Sequence, residues 1–221
     1  MIPLDIYMTW KTSKLPPLMQ ENMDILKKTN PQFKFHLYND NECREFIKTY
    51  FNPEVVNTFD TLIPGAYKAD LWRLCILFIK GGIYMDIKFK TVNFSLIDLT
   101  LSDHFAVDRP TNSLHIYNAI MVCNAGHLFL RDCINRIVSV VKFRLYGRTP
   151  LSPTGPELLG TASANYKLTL DLKYPRGAQY QDTVMYKDKV ILTHYKGYRK
   201  EQSAQSGLHY WTLWERRKIY R

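Results

Sequence analysis

The stretch "ADLWRLCILFIKGGIYMDIKFK", residues 69–90, constrains the fold more than any other part of this 221-residue chain. Apolar side chains recur on every turn from 67 to 79 with no breaker, which predicts a helix. Gly81-Gly82 stops it, because glycine takes the left-handed conformation that closes a helix without steric cost. The pattern then switches to alternation. Ile83, Met85, Ile87 and Phe89 fall on one face of a strand, and Tyr84, Asp86, Lys88 and Lys90 on the other. Asp70 and Arg73 lie three apart, on one helix face above Leu77. A surface ion pair and an exposed strand face would explain these charges. Charges inside so apolar a segment, however, need partners.

The rest of the chain reads as alternating elements. Residues 2–10 form a strand, 11–17 a loop, and 18–30 a helix with Leu18, Met23, Ile25 and Leu26 inward. Residues 31–40 alternate Phe33, Phe35 and Leu37 as a second strand, and Asp40 is placed to cap a helix over 41–51. Strand–helix–strand–helix order predicts a parallel sheet wound with helices. Further on, "NAIMVCNAGH" holds a short buried strand. Residues 128–143 form an amphipathic helix with Leu130, Ile134, Ile137, Val138 and Val141 in one stripe. "SPTGPELLG" is a turn entering a helix, and "KVILTHY" is a late strand. The aromatic, basic tail over 206–221 is a docked segment.

Length and composition predict one globular domain with a sizeable core. The formal net charge of +10 favours an anionic partner. No zinc finger, RNP motif or basic zipper accompanies it. Cys43, Cys75, Cys123 and Cys133 show no Cys-x-x-Cys spacing and read as reduced core thiols of a reducing compartment. No apolar run approaches the roughly 20 residues of a membrane span, and the start carries no signal peptide. The expectation is therefore a soluble, cytoplasmic protein, in a host cytosol if it is viral.

The pattern Asp70-x-x-Arg73, an apolar helix, Gly81-Gly82-x-Tyr84 and then Asp86 resembles the signature of the glycosyltransferases of family 32, which carry a sugar-binding region with a DXD motif. "MTWKTSKLPP", "NPQFKFHLYND", "NAIMVCNAGHLFL" and "SPTGP" resemble flanking segments of that family, so the likeness covers most of the chain. Small members encoded by large DNA viruses share the Asp-Ile-Lys sequence at this place. The resemblance implies a single GT-A domain over 1–221: α/β, with a Rossmann-like open mixed sheet flanked by helices. Residues 1–92 would form a nucleotide-sugar-binding half. Residues 93–221 would form an acceptor half and a closing C-terminal segment. It also implies retaining transfer of a hexose from a UDP- or GDP-linked donor to a glycan or other hydroxyl acceptor, with no nucleic acid as partner.

Carried over residue by residue, Asp70 would bind hydroxyls of the donor sugar, and Arg73 the same sugar or the phosphates. Tyr84 would contact the ribose or base, with Thr9 and Trp10 near the base. Asn118, Asn124, Thr154, Gly155 and Pro156 would border sugar and acceptor. His194, Tyr210 and Trp211 would close over the diphosphate, with Lys196, Arg199 and Lys200 near the phosphates. Asp86 would be the first acid of the metal motif, holding Mn²⁺ or Mg²⁺ with His194.

The departure is Lys88, which replaces the second motif acid. Either Asp86 still binds a metal with waters, phosphates and His194, or Lys88 itself supplies the charge. The two residues could also pair with each other. Two rival readings remain at this level: a catalytically inactive nucleotide-sugar or glycan-binding module, and a single-strand nucleic-acid binder using the basic, aromatic "HYKGYRK".

Overall fold

The computed structural model describes residues 1–108, 114–175, 177, 182–204 and 207–221. The chain opens with strand β1 (Asp5–Thr9), helix α1 (Pro17–Thr29), strand β2 (Lys34–Tyr38), and helices α2 (Asp40–Tyr50), α3 (Pro53–Thr61) and α4 (Gly65–Lys80). Strands β3 (Gly82–Met85) and β4 (Phe89–Thr91) follow, then a 3-10 turn at Leu96–Leu99 and strands β5 (His104–Asp108) and β6 (Ile116–Cys123). The second half adds helices α5 (Leu128–Lys142) and α6 (Pro156–Ser163) and strands β7 (Leu172–Tyr174), β8 (Thr183–Tyr186) and β9 (Lys189–His194). Helices α7 (Tyr198–Ser203) and α8 (Tyr210–Glu215) end it.

Among the described residues the nine strands form one mixed sheet, in the order β2-β1-β3-β6-β5-β7-β8-β9-β4. β1 pairs in parallel with β2 and β3, as the opening strand–helix rhythm predicts. β3 and β6 are antiparallel. Two apolar layers cover the sheet. One centres on α4 and α5, with Trp72, Leu74, Phe105, Phe129 and Ile137. The other lies under α1, with Met19, Met23, Ile83, Met85 and Phe89. The proposed halves are joined within this sheet, since β3 pairs with β6 and β4 with β9.

Several expectations need correction. Residues 83–90 are not one strand. The chain leaves β3 after Met85, turns with Phe89 N–H donating to the Asp86 carbonyl (3.1 Å), and re-enters the sheet as β4 on the far side of β9. Because three residues join β3 to β4, the strands from β3 round to β4 curl back on themselves. A local alternation cannot reveal such a turn, since both flanking strands keep the same inside–outside pattern.

In α1 the buried face is Met19, Asn22, Met23 and Leu26, while Leu18 and Ile25 are exposed. That set follows the i, i+3, i+4, i+7 spacing more closely than the predicted one. The cap of α2 is Asn39, not Asp40. The Asn39 side chain accepts from the backbone N–H of Asn41 and Glu42, and Glu42 answers the Asn39 N–H at 2.8 Å. This is a capping box, and Asp40 is the first helical residue.

The Gly81-Gly82 stop does act as read. Gly81 has φ +66°, and a Cβ there would lie 2.7 Å from the Ala125 nitrogen. Gly82 has φ +100°, and a Cβ would lie 2.7 Å from the Asp5 carbonyl oxygen. The glycines thus let α4 turn tightly into β3 while β1 approaches. The tail is docked as expected: Ile219 and Tyr220 are buried, and Tyr220 bridges to Leu62. All four cysteines are buried free thiols.

Candidate active site

A cleft of about 660 Å³ opens at the carboxyl ends of β1 and β3. Ligands of open α/β sheets bind at such strand ends, and the volume is in the usual range for a small-molecule pocket. Thr9 and Trp10 enter from the end of β1 and Tyr84 and Asp86 from the end of β3. Asp70 and Arg73 line it from α4, Asn118 from β6 and Gly155-Pro156 from the start of α6.

These side chains form one network. Asp70 accepts a hydrogen bond from Asn118 Nδ2 at 2.9 Å and from Thr154 Oγ1 at 2.7 Å, and pairs with Arg73 at 3.3 Å. Arg73 is buried. It donates to the backbone carbonyls of Ala69 (3.1 Å) and Asn118 (2.6 Å) and lies 3.4 Å from Asp86 Oδ1. Its guanidinium sits 4.4 Å from the centre of the Tyr84 ring. The Tyr84 hydroxyl donates to Asp86 Oδ1 at 2.7 Å, and Lys88 Nζ donates to Asp86 Oδ2 at 2.7 Å. The i, i+3 pair on α4 is therefore not a surface ion pair, and the Asp86–Lys88 pairing foreseen from sequence is present.

Burial and charge pull these groups in opposite directions. Burial raises the Asp70 carboxyl above its usual value, and Arg73 with the Thr154 hydrogen bond offsets this only in part. Burial also raises Asp86, but Lys88, Arg73 and two hydrogen bonds outweigh it and hold that carboxyl below its ordinary value. Perturbed groups in a cleft mark functional sites.

The geometry does not gather every residue named from the sequence. Thr154 lies behind Asp70 and acts on it through its hydroxyl. Asn124 lies away from the cleft, exposed, with its backbone and side-chain N–H groups on Asp103. Six residues of extended chain separate it from Asn118, about 20 Å. Lys196 and Lys200 are exposed and do not line the cleft, and Arg199 is tied to Asp182 at 2.6 Å. Tyr210 and Trp211 do line it, from α8. Sequence reading missed Lys11, Asp40, Tyr67, Tyr117, Tyr174 and Tyr198. Tyr117 and Tyr174 stack with centres 4.0 Å apart. Tyr117 precedes Asn118 and was within reach of the motif, whereas nothing local marks Tyr174.

The cleft does not gather both members of the expected metal pair. Both Asp86 oxygens already accept from a donor, one of them cationic. His194 does not line the cleft. It pairs across the sheet with Phe89, and its Nδ1 lies 3.4 Å from Asp182. Among the described residues no three His, Cys, Asp or Glu side chains stand together as a metal site.

Burial instead lowers the His194 pKa to about 4, helped by Lys88 and Arg199 and opposed by Asp182 and Asp86. A histidine depressed in the folded state binds its proton more readily when unfolded, so stability should fall as pH drops from about 6.5 toward 4. His194→Gln should lose less stability across that window. Urea midpoints at pH 7 and pH 5 for both proteins check this, and equal losses would contradict it.

The open mixed sheet with its strand-end cleft shares its fold with solved glycosyltransferases. Residues 16–96 match the family described as "Glycosyltransferase sugar-binding region containing DXD motif". The chain is 31% identical over 136 residues to inositol phosphoceramide mannosyltransferase 3 of Schizosaccharomyces pombe, covering 62% of this chain and 37% of that protein. It is 34% identical over 88 residues to an uncharacterized glycosyltransferase of Acanthamoeba polyphaga mimivirus, covering 39% of this chain and 35% of that one. The chain thus spans little more than a third of these two relatives. Among solved structures, PaToxG glycosyltransferase superposes with a TM-score of 0.57 at 17% identity, over 74% of this chain and 68% of that one. Among the described residues no helix is long and apolar enough to cross a membrane.

Proposed function

We propose that the cleft binds a nucleoside diphosphate hexose and transfers the hexose, with retention at the anomeric carbon, to a hydroxyl of a glycan or similar acceptor. The observation that carries this reading is the Asp70–Arg73–Asp86–Lys88 network at the carboxyl ends of β1 and β3. Thr9 and Trp10 lie at the mouth of β1, where a base would stack. Asp70, set by Asn118 and Thr154, faces the sugar hydroxyls. The names of the relatives, a mannosyltransferase among them, support a hexose donor.

Asp70 and Asp86 are each held by hydrogen-bond donors and a cation, and neither is assigned as a covalent nucleophile. Transfer then proceeds on one face. The bond from the anomeric carbon to the diphosphate oxygen breaks, the acceptor oxygen bonds to that carbon, and its proton passes to the departing diphosphate. The protein contributes position and charge.

A thermal-shift panel of UDP, GDP, CDP and their common hexoses tests donor binding. One base should stabilise the protein by about 2.7 kcal/mol at 100 times its dissociation constant, roughly 5–10 °C for a domain of this size. No shift with any nucleotide would overturn the reading. Binding without turnover would support the inactive module, which the occupied Asp86 oxygens favour.

A further inference from the structure

The residue that departs from the motif is also the cation best placed for a ligand. We propose that Lys88, in place of a divalent metal ion, supplies the positive charge that holds the diphosphate of the donor. This rests on the nucleotide-sugar reading above and specifies how that site meets its anion.

Three cationic side chains line the cleft among the described residues: Lys11, Arg73 and Lys88. Lys11 is exposed. Arg73 is committed to Asp70, Asp86 and two backbone carbonyls. Lys88 is different. Its side chain is 17% exposed, and Asp86 is its one hydrogen-bond partner among the described residues. An ammonium has three N–H donors, so two remain for phosphate oxygens.

The ammonium is held in place rather than dangling. The backbone carbonyl of Lys88 accepts from Tyr195 N–H at 3.0 Å, which ties the β3–β4 turn to the end of β9. Nζ lies 5.3 Å from the centre of the Phe89 ring and 5.7 Å from that of Tyr117, two faces that favour a cation. Asp86 orients it from one side. Burial disfavours the charged form, but Asp86 outweighs burial and keeps Lys88 protonated.

A divalent ion on Asp86 would share its carboxylate with the Tyr84 hydroxyl and the Lys88 ammonium. It would also stand beside a like charge. Substituting an ammonium for a metal ion keeps the same electrostatic service to the leaving diphosphate. It gives up coordination and gains independence from metal supply.

Calorimetric titration of UDP and GDP into the protein, in excess EDTA and then in excess Mn²⁺, tests the assignment. Wild type should bind its preferred diphosphate with dissociation constants within about threefold in the two media. Lys88→Met should bind about 10- to 100-fold more weakly in EDTA, the usual worth of a charge-assisted hydrogen bond. Lys88→Arg should recover most of that loss. Wild-type binding that appears only with Mn²⁺ overturns the inference and leaves the donor reading standing. No binding of either diphosphate in either medium overturns the donor reading, and this inference with it. Unchanged affinity in a folded Lys88→Met overturns the inference alone. The wild-type comparison stands even if that variant does not fold.

Discussion

Replacing Arg73 by methionine should destabilise the protein by about 3–5 kcal/mol, because it strips the countercharge from two carboxylates at once. Asp70 and Asp86 both sit within 3.4 Å of the guanidinium, and both are buried or nearly so. The carbonyls of Ala69 and Asn118 would also lose their donor. For a domain of this size the melting temperature should fall by about 10 °C or more. Arg73→Lys should recover only part of the loss, since a single ammonium cannot reach two carboxylates and two carbonyls in the planar arrangement of a guanidinium. Urea unfolding of both variants checks this. A methionine variant within about 1 kcal/mol of wild type would mean that the network is not what holds α4 to β3 and β6.

Asp70→Asn should have the largest effect on activity. Asp70 is assigned to the sugar rather than to the base or phosphates. On the proposed reading, loss of the carboxylate's charge toward the sugar hydroxyls should lower kcat/KM by about 100-fold or more. Affinity for the free nucleoside diphosphate should change by no more than about threefold, because that ligand has no sugar to meet the carboxylate. Comparing turnover with calorimetry on the same preparation separates the two effects. Equal losses in both would make Asp70 a structural member of the ion network.

Much of this site was legible because it is local. Asp70, Arg73, Gly81, Gly82, Tyr84, Asp86 and Lys88 lie within 19 residues, and the helix–glycine–strand switch places them at one strand end. The helix stripe of α5 was legible for the same reason: its buried set contains all five predicted residues. Asn118 and Thr154 came only from family likeness, and their place beside Asp70 depends on β6 and the turn before α6 reaching α4 through side-chain hydrogen bonds. The failures are where tertiary structure overrides local pattern. Alternation ran through residues 83–90 although the chain turns there, because β4 takes its register from β9, about 100 residues away. β5, β7 and β8 were not foreseen, being short strands paired through non-local contacts. Asn124 shares a motif-like segment with Asn118, yet the length of β6 carries it to the other end of the sheet. By contrast α3 had a readable start, Asn52 as cap and Pro53 at the first helical position, which is a recognised helix signal.

Among all these tests, release of nucleoside diphosphate from UDP- and GDP-linked hexoses, followed chromatographically for wild type and Asp70→Asn, bears most directly on the central claim. The account predicts release from one donor class by wild type, faster with a hydroxyl acceptor present and suppressed about 100-fold or more in Asp70→Asn. No release from any donor, or equal release by the two proteins, would contradict it.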